Sequence, residues 1–405
     1  MSASFADTQS SSAAAGRKLT RLAKPGTFAR VSRSEPFTFY EFFAGGGMAR
    51  TGLGPGWSCL FANDFDAGKA QAYRANFGGE DLTEGDVWTL KAKDLPGRAD
   101  LAWASSPCQD LSLAGARRGL GGERSSAFWG FWRLVEQLAA EGRAPTAIGM
   151  ENVTGLLTSH GGSDFTALCA ALAGLGYRFG ALEIDAAMFT PQSRPRLFVL
   201  AVRETAMAAG GPGGFHGPAV MKAFERLPEA LKQFWIWWRL PPPARRNTGL
   251  ADVLEPDEDV AWLPDAEAGR LISLMGPLHR TRLEALKLTP GRHVGTAFRR
   301  TRIEAGERVQ RAEVRFDGVA GCLRTPTGGS SRQFVIVVEE GRARARLLTA
   351  REAARLMGLP DDYRLPRSTT AALHLAGDGV AAPVVRHLAA HVLEPMLTGA
   401  GRAAA

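Results

Sequence analysis

Phe37-Thr38-Phe39-Tyr40-Glu41-Phe42-Phe43-Ala44-Gly45-Gly46-Gly47-Met48-Ala49-Arg50-Thr51-Gly52-Leu53 is the stretch from which the fold is read. An aromatic, apolar run of strand length, Phe37 to Phe43, meets successive glycines, and Met48 to Leu53 then reads as the opening of a helix. Strand, glycine turn and helix in that order begin a doubly wound α/β sheet whose turn lets a ligand lie against bare backbone. The dinucleotide fingerprint is incomplete: Gly45 and Gly47 fit its first two glycines, but Arg50 stands at the third.

Working outward, Trp57 to Ala62 reads as the second strand, and Asn63-Asp64-Phe65-Asp66 leads into a helix from Ala67 to Asn76. Asp64 stands where doubly wound folds hold ribose hydroxyls, although Asp64 or Asp66 serves equally as a helix N-cap. Glu84-Gly85-Asp86 offers another acid after a short loop. The apolar run Ala99 to Trp103 ends in Ala104-Ser105-Ser106-Pro107-Cys108-Gln109, where proline stiffens the turn holding a single thiol. On a loop at a strand's carboxyl end Cys108 reads as a nucleophile, against the alternative of a buried structural cysteine.

Gly115 to Ser126 is polar and broken by glycine, as a lid would be. Ala127 to Ala140 has helical periodicity, and the strand Ala144 to Met150 delivers Glu151-Asn152-Val153 to the same edge as Cys108. A helix from Ser163 to Gly174 and a strand from Tyr177 to Ile184 follow. Gln192-Ser193-Arg194-Pro195-Arg196 then enters the strand Leu197 to Val202, with Arg194 and Arg196 spaced to share a face. From Glu204 neither strand alternation nor a helical period is clean, which marks a second domain or large insertion. Gly328 to Gln333 reads as a glycine loop before the strand Phe334 to Val338, Thr349 and Glu352 form a capping box, and Gly377 to Val380 opens a helix running to Leu397.

Composition bounds the function. The 405 residues are 45% hydrophobic, enough for two domains with a substantial core. No apolar run is long enough for a membrane span and the amino terminus lacks a signal peptide's apolar core, so a cytoplasmic protein is expected. Cysteines at 59, 108, 169 and 322 form no paired motif, and His387 and His391 lack the glutamate of a zinc motif; no metal is expected. Leu278 to Arg346 holds fifteen Lys or Arg against seven Asp or Glu, an excess equal to the whole chain's formal charge of +8. That distribution points to nucleic acid, the alternative being an arginine-rich solvated surface.

The ordered set of glycine loop, acid after strand two, Pro-Cys-Gln, Glu-Asn-Val and Gln-x-Arg-x-Arg resembles the DNA (cytosine-5) methyltransferases of bacterial restriction-modification or orphan type, over about residues 37 to 203 and 320 to 395. The resemblance implies a doubly wound, Rossmann-like S-adenosylmethionine-dependent methyltransferase core with a smaller irregular target-recognition domain. It assigns Phe43, Ala44, Gly45, Gly46 and Gly47 to the methionine part of the cofactor, Asp64 to its ribose, Phe65 to the adenine face and Asp86 to the adenine amino group. Pro107, Cys108 and Gln109 become the catalytic loop, Glu151 its partner, and Arg194 and Arg196 the flank of the cytosine. Asp378 and Val380 return to the cofactor pocket.

The implied segments are a disordered basic tail (1–35), a catalytic cofactor-binding domain (36–203), a target-recognition region (204–346), an ordering segment (347–370) and a returning carboxyl-terminal helix (371–398). Arg299, Arg300, Arg302, Arg324 and Arg332 are candidate DNA contacts. The expected partner is double-stranded DNA, with a cognate restriction endonuclease on the same site and a monomeric enzyme. Two departures from the family pattern stand out: Ala187-Met188-Phe189-Thr190-Pro191 at the site's edge, and Asp378 where asparagine is usual.

The chemistry asks for the same groups. Cytosine C5 becomes nucleophilic only after addition at C6, which a thiolate performs reversibly. A protonated Glu151 in a dry pocket serves N3, Arg196 serves O2, and the base must leave the stack to be reached. A tRNA cytosine-5 methyltransferase and a catalytically silent DNA-binding protein on the same scaffold are the alternatives, with a nicotinamide oxidoreductase behind them.

Overall fold

The computed structural model describes residues 35–107, 127–203, 210–304, 306–325 and 332–399. Residues 1–34 of the expected tail, Cys108, Gln109, the Gly115 to Ser126 segment and residues 328–331 of the second glycine loop lie outside the described residues.

Strands β1 (Phe37–Phe42), β2 (Trp57–Asp64), β3 (Leu82–Glu84), β4 (Leu101–Ala104), β5 (Ala147–Asn152), β6 (Arg178–Asp185) and β7 (Pro195–Val202) form one sheet in the order β3-β2-β1-β4-β5-β7-β6. The first five are parallel, and β7 lies antiparallel between β5 and β6. The order reverses between β1 and β4, which is where a doubly wound sheet opens a crevice at its carboxyl edge.

Both faces of the sheet are covered. On one face Phe39 of β1 and Leu101 and Trp103 of β4 pack with α1 (Met48–Leu53). On the other, Tyr40, Phe42, Ala102 and Ala104 pack with α3 (Ala127–Ala140) and α4 (Ser163–Gly174), while α2 (Ala67–Phe77) joins β2 to β3. The alternation follows from the two-residue period of a strand, and apolar side chains at both phases make the strand buried on both faces.

The region after Glu204 is more regular than its sequence suggests. It holds α5 (Pro218–Arg226), α6 (Glu229–Lys232), α7 (Asp265–Ser273) and α8 (Pro277–Lys287). An antiparallel sheet follows in the order β11-β10-β8-β9, built from β8 (His293–Glu304), β9 (Glu307–Arg315), β10 (Gln333–Glu339) and β11 (Arg342–Leu347). The alternation was muted because the inward positions of β8, β9 and β11 include alanines, Ala297, Ala312 and Ala345, among arginines and glutamates. Only β10 is apolar on both faces: Phe334, Ile336 and Val338 pack with α7 and α8, whereas Val335 and Val337 join the core of the larger sheet.

The capping box is present at the start of α9 (Ala350–Leu356), where Thr349 N donates to Glu352 Oε2 at 2.9 Å and Glu352 N to Thr349 Oγ1 at 3.1 Å. Glu352 also accepts from both terminal nitrogens of Arg346, at 2.8 and 2.6 Å, and both side chains are fully buried. The carboxyl-terminal helix differs from expectation. Gly377 and Asp378 close α10 (Thr369–Asp378), and the run to Leu397 is divided into α11 (Ala382–Leu388), a π-helical turn at Ala389–Leu393 and α12 (Glu394–Leu397). Gly377 is pressed against the Arg324–Thr325 backbone, too close for any Cβ, and Pro383 starts the next helix in its first turn.

Candidate active site

A cleft of about 550 Å³ opens at the carboxyl edge of the larger sheet, where the strand order reverses. Phe43 to Gly46 follow β1 on one side of it, Ser105 to Pro107 follow β4, Glu151 to Val153 end β5, and Arg194 and Arg196 lead into β7. Gly377 to Val380 and Cys322 to Thr325 complete the lining from later in the chain.

The glycine turn needs its glycines. Gly45 and Gly47 are left-handed, at φ 55° and 76°, and Phe43 shares that conformation at φ 55°. A Cβ on Gly46 would collide with the Tyr363 hydroxyl, which donates to Gly46 O at 2.6 Å, whereas a Cβ on Gly45 would meet nothing. The loop is thus backed by Tyr363 and open towards the cleft. Asp64 ends β2 and accepts from Gly45 N at 2.7 Å and Asp66 N at 2.9 Å, while Asp66, not Asp64, is the helix N-cap. Burial pushes the Asp64 carboxyl up.

Beside Asp64, the ring of Phe65 is 69% exposed although it lines the cleft, an unusual position for a large aromatic group. Glu41 of β1, which the sequence reading passed over, also lines it; one carboxyl oxygen accepts from Arg50 N at 3.3 Å and the other is buried without a partner. Burial pushes its carboxyl up to about 8. A lone acid inside an aromatic strand was the signal available for it. An exposed ring, a buried carboxylate and an orphaned carboxyl oxygen around open glycine backbone fit a ligand with an aromatic base, hydroxyls and a cationic end.

At the other end of the cleft, Glu151 is 6% exposed. Arg196 Nε lies 3.0 Å from Glu151 Oε1. The register explains this contact: Glu151 pairs with Phe198, so Arg196, two residues earlier on β7, projects from the same face. Burial raises the Glu151 carboxyl, opposed by Arg196 and Arg194. Asn152 Nδ2 donates to Ser106 Oγ at 3.1 Å, tying the end of β5 to the loop that carries Pro107 and continues into Cys108.

The expected shared face of Arg194 and Arg196 is present, since both guanidinium groups approach Cys322 Sγ, at 3.6 and 3.9 Å. Their roles differ. Arg194 is buried and donates to the carbonyls of Leu323, Gly377 and Gly379 at 3.0, 2.9 and 2.7 Å, which positions the returning segment. Burial, with the neighbouring Arg196 charge, lowers the Arg194 pKa. Gln192 joins in, donating to Leu356 O at 2.9 Å and accepting from Leu323 N at 3.0 Å. Asp378 lines the cleft in an ion pair with Lys69 at 2.7 Å and accepts from Thr325 Oγ1. Val380 lies beside it in the lining.

Other candidates fall elsewhere. Asp86 is exposed, accepts from Trp88 N at 3.0 Å as the cap of a short turn, and is not part of the cleft lining. Met188 and Phe189, in the departing segment, sit on a short helical turn that Asp185 caps by accepting from Ala187 N. Of the basic candidates, Arg324 lines the cleft, Arg332 precedes β10, and Arg299, Arg300 and Arg302 lie on β8. Among the described residues no group of three potential metal ligands is assembled, and no helix is long and apolar enough to cross a membrane.

The family model for C-5 cytosine-specific DNA methylases matches residues 37–394. The chain is 26% identical over 357 residues to the type II methyltransferase M.HhaI of Haemophilus parahaemolyticus, covering 87% of this chain and 93% of that protein. It is likewise 26% identical over 384 residues to the type II methyltransferase M.HpaII of Haemophilus parainfluenzae, covering 89% and 90%. Among solved structures, Dnmt2 methyltransferase of S. pombe aligns over 89% of this chain and 99% of its own, with a TM-score of 0.56 at 18% identity. DNMT2 of Spodoptera frugiperda aligns with a TM-score of 0.55 at 16% identity, over 87% and 98%. These two are likenesses of fold.

Proposed function

From the premise that this chain belongs to the C-5 cytosine-specific DNA methylase family and is a DNA cytosine-C5 methyltransferase, we propose that it acts on a cytosine flipped out of duplex DNA, through a covalent bond from Cys108 to C6. The observation that carries the proposal is the single cleft in which Glu151 and Arg196 face the glycine turn across Ser106 and Pro107. S-adenosylmethionine, the cofactor that family and fold imply, supplies when bound an electrophilic methyl group on a sulfonium. Gly45 to Gly47, Asp64, Phe65 and the Gly377 to Val380 segment are the residues to hold it.

Cys108 is the residue after Pro107, which lines the cleft together with Glu151, and in this reading it supplies the thiolate. Addition of sulfur at C6 moves electron density onto C5 and N3. Glu151, whose carboxyl pKa burial raises, donates a proton to N3 in this reading, and Arg196 holds the carboxyl group and the O2 side of the base. After methylation a base removes the C5 proton, the thiolate leaves C6 as the C5–C6 double bond returns, and N3 gives its proton back to Glu151. Arg194 acts by positioning, because its donors are taken by backbone carbonyls. Taking the base out of the stack costs about a few kcal/mol, which contacts of the remaining DNA with the basic region after Glu204 offset.

Neither the family match nor the curated relatives favour a tRNA substrate. The type II designation of those relatives is the support for including a companion endonuclease of the same specificity in the proposal. Bisulfite sequencing of DNA from cells expressing the chain, beside Cys108→Ser, tests the reaction. Cytosines protected at one recurring short sequence, and only with the native chain, are expected; full conversion in both would overturn it. The covalent step is read separately by a denaturant-stable complex with DNA carrying 5-fluorocytosine, whose fluorine cannot leave as a proton does.

A further inference from the structure

β10 stops pairing with β8 at the Gln333–Phe298 pair. Beyond it, among the described residues, β8 and β9 continue as a two-stranded ribbon, from the Arg299–Ala312 pair to the Glu304–Glu307 pair. At about 3.4 Å per residue this ribbon projects roughly 20 Å beyond the sheet. Its root adjoins the cleft: Gln333 Nε2 donates to Gly321 O at 2.7 Å, the Phe298 ring packs beside Gly321, and the next residue, Cys322, lines the cleft.

The two faces of the ribbon differ in how their charges are used. On one face Arg300 lies 3.5 Å from Glu313, Arg302 pairs with the same carboxylate and Arg311 pairs with Glu304. These three guanidinium groups are engaged by two carboxylates of the same face. The opposite face belongs at its root to the core, through Ala297, Ala312 and Val314. Further out it presents Thr301 opposite Gln310 and Ile303 opposite Arg308, all exposed. Ile303 is 77% exposed, and among the described residues Arg308 has no acidic partner.

An exposed isoleucine beside an arginine that has no acidic partner among the described residues, on a projecting ribbon, calls for a partner that supplies both anions and apolar edges. A two-stranded ribbon fits the DNA major groove, where an arginine fork matches guanine O6 and N7, glutamine matches adenine N6 and N7, and an aliphatic group meets the thymine methyl. We propose that the face carrying Thr301, Ile303, Arg308 and Gln310 enters the major groove beside the target cytosine and reads base edges, while the ion-paired face stiffens the ribbon. This rests on the DNA methyltransferase reading above. It moves sequence recognition from Arg300 and Arg302 to residues that composition did not single out.

The test is methylation of a random-sequence duplex library, scored by bisulfite sequencing, with the native chain, Arg308→Ala and Gln310→Ala, together with each protein's melting temperature and affinity for S-adenosylmethionine. The native chain is expected to methylate one sequence. Each variant, with melting and cofactor affinity unchanged, is expected to lose about fivefold or more in kcat/KM at that sequence and to accept other bases at one position of it. Unchanged selectivity and rate in both variants would overturn the proposal, as would a uniform weakening across all sequences, which marks a phosphate contact. Absence of DNA methylation by the native chain would instead remove the underlying reading, and this inference with it.

Discussion

The two sheets treat charged side chains in opposite ways. In the seven-stranded sheet Glu41, Asp64, Glu151 and Arg194 are buried and gather at strand ends around one cleft. Burial raises all three carboxyl groups and lowers the arginine. In the four-stranded sheet the acids sit near the surface beside arginines, which hold Glu304 and Asp317 below the usual carboxylate range. Residues of the same types therefore have their carboxyl pKa values raised by burial in one region and lowered by arginines in the other. Removal from water suits a carboxyl group to donate a proton near neutral pH, whereas recognition of DNA needs side chains that remain in water until the duplex replaces it.

The contrast is sharpest at Glu151. Glu151→Ala should lower kcat by about a hundredfold or more, with DNA affinity little changed, measured by single-turnover methylation and DNA titration. Retention of most activity would place Glu151 with the structural acids. Because the protonated form is the active one, activity should fall as pH rises through the raised Glu151 pKa. Arg196→Ala removes the main influence opposing that rise and should move the alkaline limb further up.

A buried pair inside the second region tests whether location or region decides. Arg346 and Glu352 are fully buried, so Glu352→Ala should cost about 3–5 kcal/mol in denaturant unfolding by leaving a buried charge unpaired. A cost below about 1 kcal/mol would put this pair with the surface ones.

Glu41 has a folded pKa of about 8, far above its unfolded value. The stability tied to its proton is therefore complete below the unfolded carboxylate pKa and is lost as pH rises through about 8. The native chain should lose unfolding free energy across that window more steeply than Glu41→Gln, by an amount on the order of a few kcal/mol, read by denaturant unfolding at each pH. Parallel curves would show that the carboxyl ionises as freely as a surface acid. The smallest effect is expected on the ribbon, where Glu313→Ala should change stability by no more than about 1 kcal/mol, and less in high salt.

Local signals carried much of the architecture. Apolar runs bounded by glycine or proline identified β1, β2, β4, β5, β6 and β7, and the periodic stretch Ala127 to Ala140 and the capping box at Thr349 matched α3 and α9. The ribbon was missed because its inward positions are alanines and its outward ones charges, a pattern with little hydrophobic contrast. The division of the last helix was missed because its cause is distant: Gly377 packs on Arg324 and Thr325, and Arg194 takes its carbonyl.

By itself the sequence determined the order of strands and helices up to Val202, the glycine turn and the acids and arginines that strand ends would carry, since those depend on neighbours along the chain. Tertiary structure alone decided that Arg196 meets Glu151 while Arg194 braces the returning segment. It likewise decided that Asp86 lies outside the cleft and Glu41 inside it, and that Arg308 remains unpaired by acids among the described residues where Arg302 does not. The meeting of Arg196 with Glu151 and the separation of Arg308 from Arg302 rest on the register of β5 with β7 and of β8 with β9, and register is set by packing between residues far apart in the chain.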